Sequence, residues 1–357
     1  MMQWSPVDGL TLRASAIMEG VSRRNLFLLV SLFLGSLGLA QDKQDKETPT
    51  VDGSSAEDPA DEGFRIGVAV DQVFLSVNAR SLEGGFVRDL RQDQFQVYED
   101  GVKQKIVNFS SEAVPVKVVL LVDISGSTRD SLPVIRRAAL RFAKSLGKED
   151  RIAVITFNDA PRLILNWTND HTKIENALLS VYAKGQTVLN DALYVTCDDL
   201  LKEVVGKKAI ILLTDGVDTG SMVNYQEVVD LGIRSEAIVY VVSKLDEYWG
   251  MAIAARMEFA ARSRIVPRQL TDEFILEVRR FLQKLADQTG GRVLNSQAFS
   301  SLIDVYAQVA EELKNQYYVS YVPSNRLKDG NWRNITVRVI NPATVVGTRP
   351  GYYAPAE

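Results

Sequence analysis

Four short aliphatic segments restrict this chain to a narrow set of folds. They are Val116-Lys117-Val118-Val119-Leu120-Leu121-Val122, Ile152-Ala153-Val154-Ile155-Thr156-Phe157, Ala209-Ile210-Ile211-Leu212-Leu213 and a fourth over 236–242. Strands alternate their side chains between two faces, so an almost unbroken aliphatic strand has no solvent side. That is the pattern of a central strand in a parallel sheet covered on both faces. Helical spacing follows or separates these segments: Ile135, Ala138, Ala139, Phe142 and Leu146, then 174–181 and 192–205. An amphipathic helix over 274–289 ends at Gly290-Gly291, a C-cap signal. A short strand at Arg292-Val293-Leu294 and a closing helix over 301–314 complete the run. Strand–helix alternation of this kind implies an α/β fold with a doubly wound, mostly parallel sheet, here spanning 113–314. Residues 245–270, with Tyr248, Trp249 and Met251, exceed an ordinary connection and read as a partly helical insertion.

The flanks follow a different period. Val68, Val70, Val73, Leu75 and Val77 mark a first strand, and Phe95 and Val97 share one face of a second. Asp100-Gly101 then supplies a tight hairpin turn, because both positions tolerate positive φ. The return strand is expected through Ile106, Val107 and Phe109. Alternation resumes after the closing helix at Tyr317-Tyr318-Val319-Ser320-Tyr321-Val322, over 332–340 and at Gly351-Tyr352-Tyr353. Neither the N-terminal β module (64–112) nor the C-terminal strands (315–357) are numerous enough to stand alone. The two are therefore expected to combine into one β-sandwich from which the α/β domain emerges. The tyrosines at 317, 318, 321, 352 and 353 are assigned to its packing.

Residues 1–40 have signal-peptide grammar: a basic Ser22-Arg23-Arg24, an uncharged apolar run over 26–39, and small residues at Gly38-Leu39-Ala40. The apolar run is shorter than the about 20 residues of a spanning helix. The expected location is therefore exported, periplasmic or extracellular, with membrane attachment only if the segment is uncleaved. Both Sec and twin-arginine routes fit Arg23-Arg24, and either Met1 or Met18 can serve as the start. Residues 41–63 are polar and charged and read as a disordered linker. With 46% hydrophobic residues and a formal net charge of −4, the chain can build a sizeable core but lacks the basic surface of a nucleic-acid binder. Cys197 is the single cysteine; it excludes an intrachain disulfide and suits a small buried position.

Three polar segments follow aliphatic strands, where open α/β sheets bind ligands. They are Asp123-Ile124-Ser125-Gly126-Ser127, Gly185-Gln186-Thr187 and Thr214-Asp215-Gly216. Small hard divalent cations take oxygen donors in octahedral geometry and keep water. Asp123, Ser125 and Ser127 alternate along a tight loop, with Gly126 expected to permit the sharp turn. Thr187 adds a hydroxyl and Asp215 a second carboxylate. Two carboxylates leave residual positive field on a divalent ion, so a carboxylate from a partner could complete the shell.

In order and spacing these residues resemble the metal-ion-dependent adhesion site of von Willebrand factor A domains. The resemblance covers roughly 116–314. It implies Mg2+ or Mn2+, with Ca2+ less suited. It further implies direct contact from Ser125 and Ser127, water-mediated contact from Asp123 and Asp215, and a state-dependent contact from Thr187. The partner it implies is a protein presenting a Glu or Asp carboxylate, in an adhesion or scaffolding role. The flanks, with Phe95-Gln96-Val97-Tyr98-Glu99-Asp100-Gly101 and Arg349-Pro350-Gly351-Tyr352-Tyr353-Ala354-Pro355, resemble the exported von Willebrand A-related proteins common in Acidobacteria.

Two other readings differ in class. One is a structural envelope module with a vestigial site. The other is a metal-dependent phosphatase-like hydrolase, since 123–128 is superficially similar to phosphatases with an aspartyl nucleophile. That chemistry needs an acid two residues after the nucleophile, and Ser125 stands there. No Ser-His-Asp arrangement, thiolate site or G-x-x-x-x-G-K loop is present, so the expectation is a binding protein and not an enzyme. His171, the only histidine, and Arg129 and Asp130 are assigned to the surface. Asp218 suits a turn or an outer-shell acceptor equally.

Overall fold

The computed structural model describes residues 72–112, 114–262, 266–295, 302–340 and 344–356, with side chains at 259–262 left aside. The signal segment, the linker, Val68 and Val70 lie outside the described residues.

The aliphatic segments form the centre of a six-stranded sheet. Its strands are β5 (Val116–Asp123), β6 (Arg151–Phe157), β7 (Pro161–Thr168), β8 (Lys207–Thr214), β9 (Ile238–Ser243) and β10 (Arg292–Asn295), in the order β10-β9-β8-β5-β6-β7. All neighbours are parallel except β7, an antiparallel edge strand on β6 that begins at Pro161. Proline cannot donate to a ladder and is tolerated at such an edge. Alternation along β5 assigns the two faces. Val118, Leu120 and Val122 pack beneath helices α1 (Leu132–Ser145), α2 (His171–Leu179) and α7 (Leu302–Lys314). Val119 and Leu121 pack beneath α3 (Leu189–Tyr194), α4 (Tyr225–Arg234) and α6 (Asp272–Gln288). Each such side chain, wholly buried, contributes about 1.5–3 kcal/mol. The sheet is thus doubly wound, as the sequence implies.

Local departures have physical causes. The helix expected over 192–205 starts earlier, at Leu189, and relaxes into a π-helical turn over Val195–Leu200. Thr196 there donates to the Ala192 carbonyl (2.7 Å), a side-chain bond that competes with the helical ladder. Cys197 is buried in this turn, and burial pushes its thiol up to about 12. The 245–270 segment is mostly one helix, α5 (Leu245–Arg262), held to α6 by the ion pairs Arg256–Asp272 (2.8 Å) and Arg279–Asp246 (2.7 Å).

The flanking strands form two antiparallel sheets packed face to face. One has the order β13-β1-β11-β4, from β13 (Thr344–Gly347), β1 (Val73–Ser81), β11 (Tyr317–Tyr321) and β4 (Ile106–Ser110). The other is β14-β12-β2-β3, from β14 (Gly351–Tyr353), β12 (Trp332–Val339), β2 (Phe95–Glu99) and β3 (Val102–Gln104). Leu75, Val77, Val97, Val319, Tyr321 and Ile335 fill the space between them. N- and C-terminal strands alternate in the first sheet and pair at its centre in the second, where β12 meets β2, so neither flank can close a core without the other. Asp100 (φ 48) and Gly101 (φ 81) make the expected turn. The return strand differs from the expectation. It is β3, paired Val97–Gln104, whereas Ile106, Val107 and Phe109 belong to β4, which crosses to the opposite sheet and pairs with β11.

One buried carboxylate joins the layers. Glu312 of α7 accepts from Asn78 (3.0 Å) and Arg80 (2.8 Å) of the sandwich, and from Tyr240 (3.3 Å) and Arg292 (2.8 Å) of the parallel sheet.

Candidate metal centre

Asp123 is the last residue of β5 and has no exposed surface. One of its carboxylate oxygens accepts the Ser125 amide (2.9 Å) and the other the Thr214 hydroxyl (2.9 Å), which ties the end of β5 to the end of β8. Ser125 is extended, and the chain then coils into a 3-10 turn over Gly126–Ser131. Thr128 and Ser131 stabilise that turn by donating back to the carbonyls of Ser125 (2.9 Å) and Thr128 (3.0 Å). The serine hydroxyls of Ser125 and Ser127 lie 3.1 Å apart, and that of Ser127 donates to Asp215 (2.7 Å). The second oxygen of Asp215 accepts the Val217 amide (3.0 Å).

The middle loop is pinned from both sides. Gly126 donates to the Gly185 carbonyl (3.1 Å) and Lys184 to that of Ile124 (2.8 Å). Asp159 accepts the Gln186 amide (2.8 Å), and Thr187 and Thr219 exchange two bonds of 3.0 and 2.9 Å. Thr187 is buried and lines one open depression together with Ser125, Ser127, Asp215 and Tyr248. All five sequence-nominated residues thus lie on loops at the carboxyl edge of β5 and β8. The left-handed backbone falls elsewhere than expected. Gly126 is not in that region and a Cβ there would make only an ordinary 3.5 Å contact. Gly185 (φ +81) is, and its Cβ would sit 2.5 Å from the Asp159 carboxylate. Gly216 (φ +79) is the other, with Leu282 and Val278 of α6 within 2.8 Å of where a Cβ would be. A side chain at either position is excluded twice, by φ and by space.

Residues 118–217 match the von Willebrand factor type A domain. The match begins inside β5 and ends one residue past Gly216, so it contains all three loops of the depression. No curated protein matches the sequence. Similar solved structures include the A-type domain of the type V pilus tip protein Mfa5 from Porphyromonas gingivalis, at 23% identity and TM-score 0.28, over 30% of this chain and 40% of that one. Proximal thread matrix protein 1 of the mussel byssus is 15% identical at TM-score 0.40, over 59% of this chain and 49% of that one. An aerotolerance-related membrane protein from Bacteroides fragilis is 16% identical at TM-score 0.40, over 55% and 99%. The chain thus spans under half of the first two.

The electrostatics of the A-type loops are acidic and confined. Burial, and then the neighbouring charge of Asp215, push the Asp123 carboxyl up to about 7. Burial also raises Asp215, opposed by its bonds to Ser127 and Val217 and by the Lys244 ammonium. Lys244 itself donates to Ser131 (2.5 Å) and pairs with Glu247 (3.3 Å). Among the described residues no group of three or more His, Cys, Asp and Glu side chains could hold a metal; the donors here are two carboxylates and three hydroxyls. That set is chemically fit for a small hard cation. Cis oxygens around such an ion at 2.0–2.1 Å stand about 3 Å apart, close to the 2.7 and 3.1 Å separations along Asp215, Ser127 and Ser125.

Other nominated residues resolve simply. Asp218 serves the turn, accepting from Asn190 (2.9 Å), Gly220 (3.2 Å) and Ser221 (2.6 Å). His171, Arg129 and Asp130 are exposed, and Asp170 caps α2 by accepting the Thr172 amide (2.9 Å). One contributor escaped the sequence reading, and a second was placed by it only within an insertion that could sit beside the binding face. Asp159 fixes the middle loop, but an Asn-Asp pair after a strand is indistinguishable from any turn. Tyr248 reaches the depression from α5, and only its place in an over-long connection hinted at this.

Proposed function

We propose that the chain is an exported, metal-dependent protein-binding module of adhesion or scaffolding type, with a Mg2+ or Mn2+ site that accepts a carboxylate from its partner. The observation that carries the reading is the row of oxygens Asp215–Ser127–Ser125 at cis-ligand spacing, lining an open depression through the exposed Ser127 and backed by the buried Asp123. In this reading Ser125, Ser127 and Thr187 present hydroxyls to the cation. Asp123 and Asp215 hold those hydroxyls and supply charge. The ion's contribution is an unsaturated electrophilic position for a partner's Glu or Asp. Tyr248 at the rim limits the angle of approach. The match of residues 118–217 to the von Willebrand factor type A domain agrees with such a role, and export agrees with residues 1–40. In this reading the Ser127 hydroxyl, which donates to Asp215 (2.7 Å), and the Ser125 hydroxyl beside it (3.1 Å) are cation ligands and not nucleophiles.

The test is retention of envelope proteins from the source cell on the immobilised chain. The proposal expects proteins held with Mg2+, released by EDTA and absent from an Asp123→Ala column. Retention indifferent to EDTA would exclude the metal-dependent mechanism and leave a structural module.

A further inference from the structure

A second concavity lies at the opposite end of the parallel sheet. Its wall includes Lys207 and Lys208, at the start of β8, with Ile238 at the start of β9. The seven residue steps from Lys207 to Thr214 put it about 23 Å from the metal loops. The sandwich closes the other side through Phe74, Tyr318, Thr348 and Arg349. The volume is about 250 Å³, under the roughly 300–1,000 Å³ of sites for drug-sized ligands, so the occupant must be small.

Charge on this wall is unbalanced. Lys202 pairs with Asp198 (3.3 Å) outside the lining, which leaves Lys207, Lys208 and Arg349 with a single acid, Glu236. Arg349 is more than nine-tenths buried. Its Nη2 donates to the Phe74 carbonyl and to Glu236, both at 3.1 Å, while Nε and Nη1 have no acceptor. The neighbouring Thr348 hydroxyl is likewise buried without a partner. Lys207 donates to the Leu313 carbonyl (2.6 Å). Lys208 is 8% exposed, and among the described residues no carboxylate lies within ion-pair distance of it. Burial pulls its ammonium below the ordinary lysine value; Glu236 opposes this, but Arg349, to which Glu236 is bonded, adds to it. Buried charges are ordinarily paired, and an anion would supply what the fold does not.

The remaining wall is mostly apolar, with Ser76 and Thr289 as its polar members. The Phe74 and Tyr318 rings stack at 5.5 Å and 18°, with Phe74 39% exposed and Val205 85% exposed at the mouth. An inorganic anion has no use for that surface. We propose that this cavity binds a small organic carboxylate, its charged end toward Lys208 and Arg349 and its apolar body against Phe74, Tyr318 and Val205. The site joins sandwich to parallel sheet, so its ligand bridges the two.

Titration calorimetry with benzoate, in EDTA so that the metal loops contribute nothing, tests the assignment. Saturable millimolar binding is expected, weakened at least tenfold by Lys208→Gln. Val205→Asp, at an exposed position that leaves the core untouched, should abolish it by placing a like charge at the mouth. Inorganic phosphate should bind more weakly than benzoate. Absence of saturable benzoate binding, equal affinity in both variants, or phosphate binding as tightly as benzoate would each overturn the proposal.

Discussion

Replacing Glu312 with alanine removes the one acceptor shared by four donors from the sandwich and the parallel sheet. Arg80 and Arg292 each donate at 2.8 Å, and their side chains are 27% and 37% exposed, so water recovers much of their loss. Asn78 and Tyr240 are 6% and 0% exposed and have no such recourse. Leaving a buried donor unpaired costs about 1–3 kcal/mol. Two of them, with a small residual from the arginines, give a loss of about 3–5 kcal/mol, the range found for removing one partner of a buried ion pair. Glu312→Gln retains two acceptor lone pairs and should lose about half as much. Urea denaturation with the slope held common would measure both. A loss under about 1 kcal/mol for Glu312→Ala would show that the network is bypassed by water. It would also refute the claim that α7 is tied to the sandwich through this carboxylate.

Three further outcomes follow from the same reasoning. Gly185→Ala combines a left-handed penalty of about 1–2 kcal/mol with loss of the Asp159–Gln186 bond, worth about 1 kcal/mol; thermal unfolding should register it, and metal affinity should fall with it. Gly216→Ala forces the new methyl against Val278 and Leu282 of α6, so overpacking should cost about 1–3 kcal/mol in denaturant titration. Lys207, 5% exposed, has its ammonium pulled down to about 8 by burial. Between about pH 8 and the unfolded lysine value near 10.4 the unfolded chain binds the extra proton, so stability rises with pH by up to about 1.4 kcal/mol per unit. Lys207→Met should flatten that rise, measured below about pH 9.5 to avoid tyrosine titration.

What the sequence disclosed depended on whether the deciding force was local. Unbroken runs such as Val118 to Val122 have only one stable setting, between two helical layers, so the sheet and its ligand edge were legible. The same is true of Asp100-Gly101, whose turn is set by φ alone. The β4 crossover was not legible. Ile106 and Phe109 carry the same alternation in either sheet, and what assigns them to β11 is a partner more than two hundred residues away. β7 and β13 escaped for a related reason, since an edge strand has little pattern of its own; α4 does carry a helical pattern, with Val228, Val229 and Ile233 on its buried face. At the site, residue types and order nominated Asp123, Ser125, Ser127, Thr187 and Asp215. The backbone that gathers them was misjudged: the left-handed glycines are Gly185 and Gly216, and the neighbours that leave no room for a side chain there, Asp159 and α6, come from elsewhere in the chain.

The central claim is that these five side chains hold a divalent cation, and calorimetric titration of the purified chain with Mg2+, repeated with Mn2+, tests it most directly. The account predicts saturable binding near one equivalent, abolished by Asp215→Ala, with both proteins unfolding cooperatively in EDTA. Absence of binding at millimolar metal, or equal binding by wild type and Asp215→Ala, would contradict it.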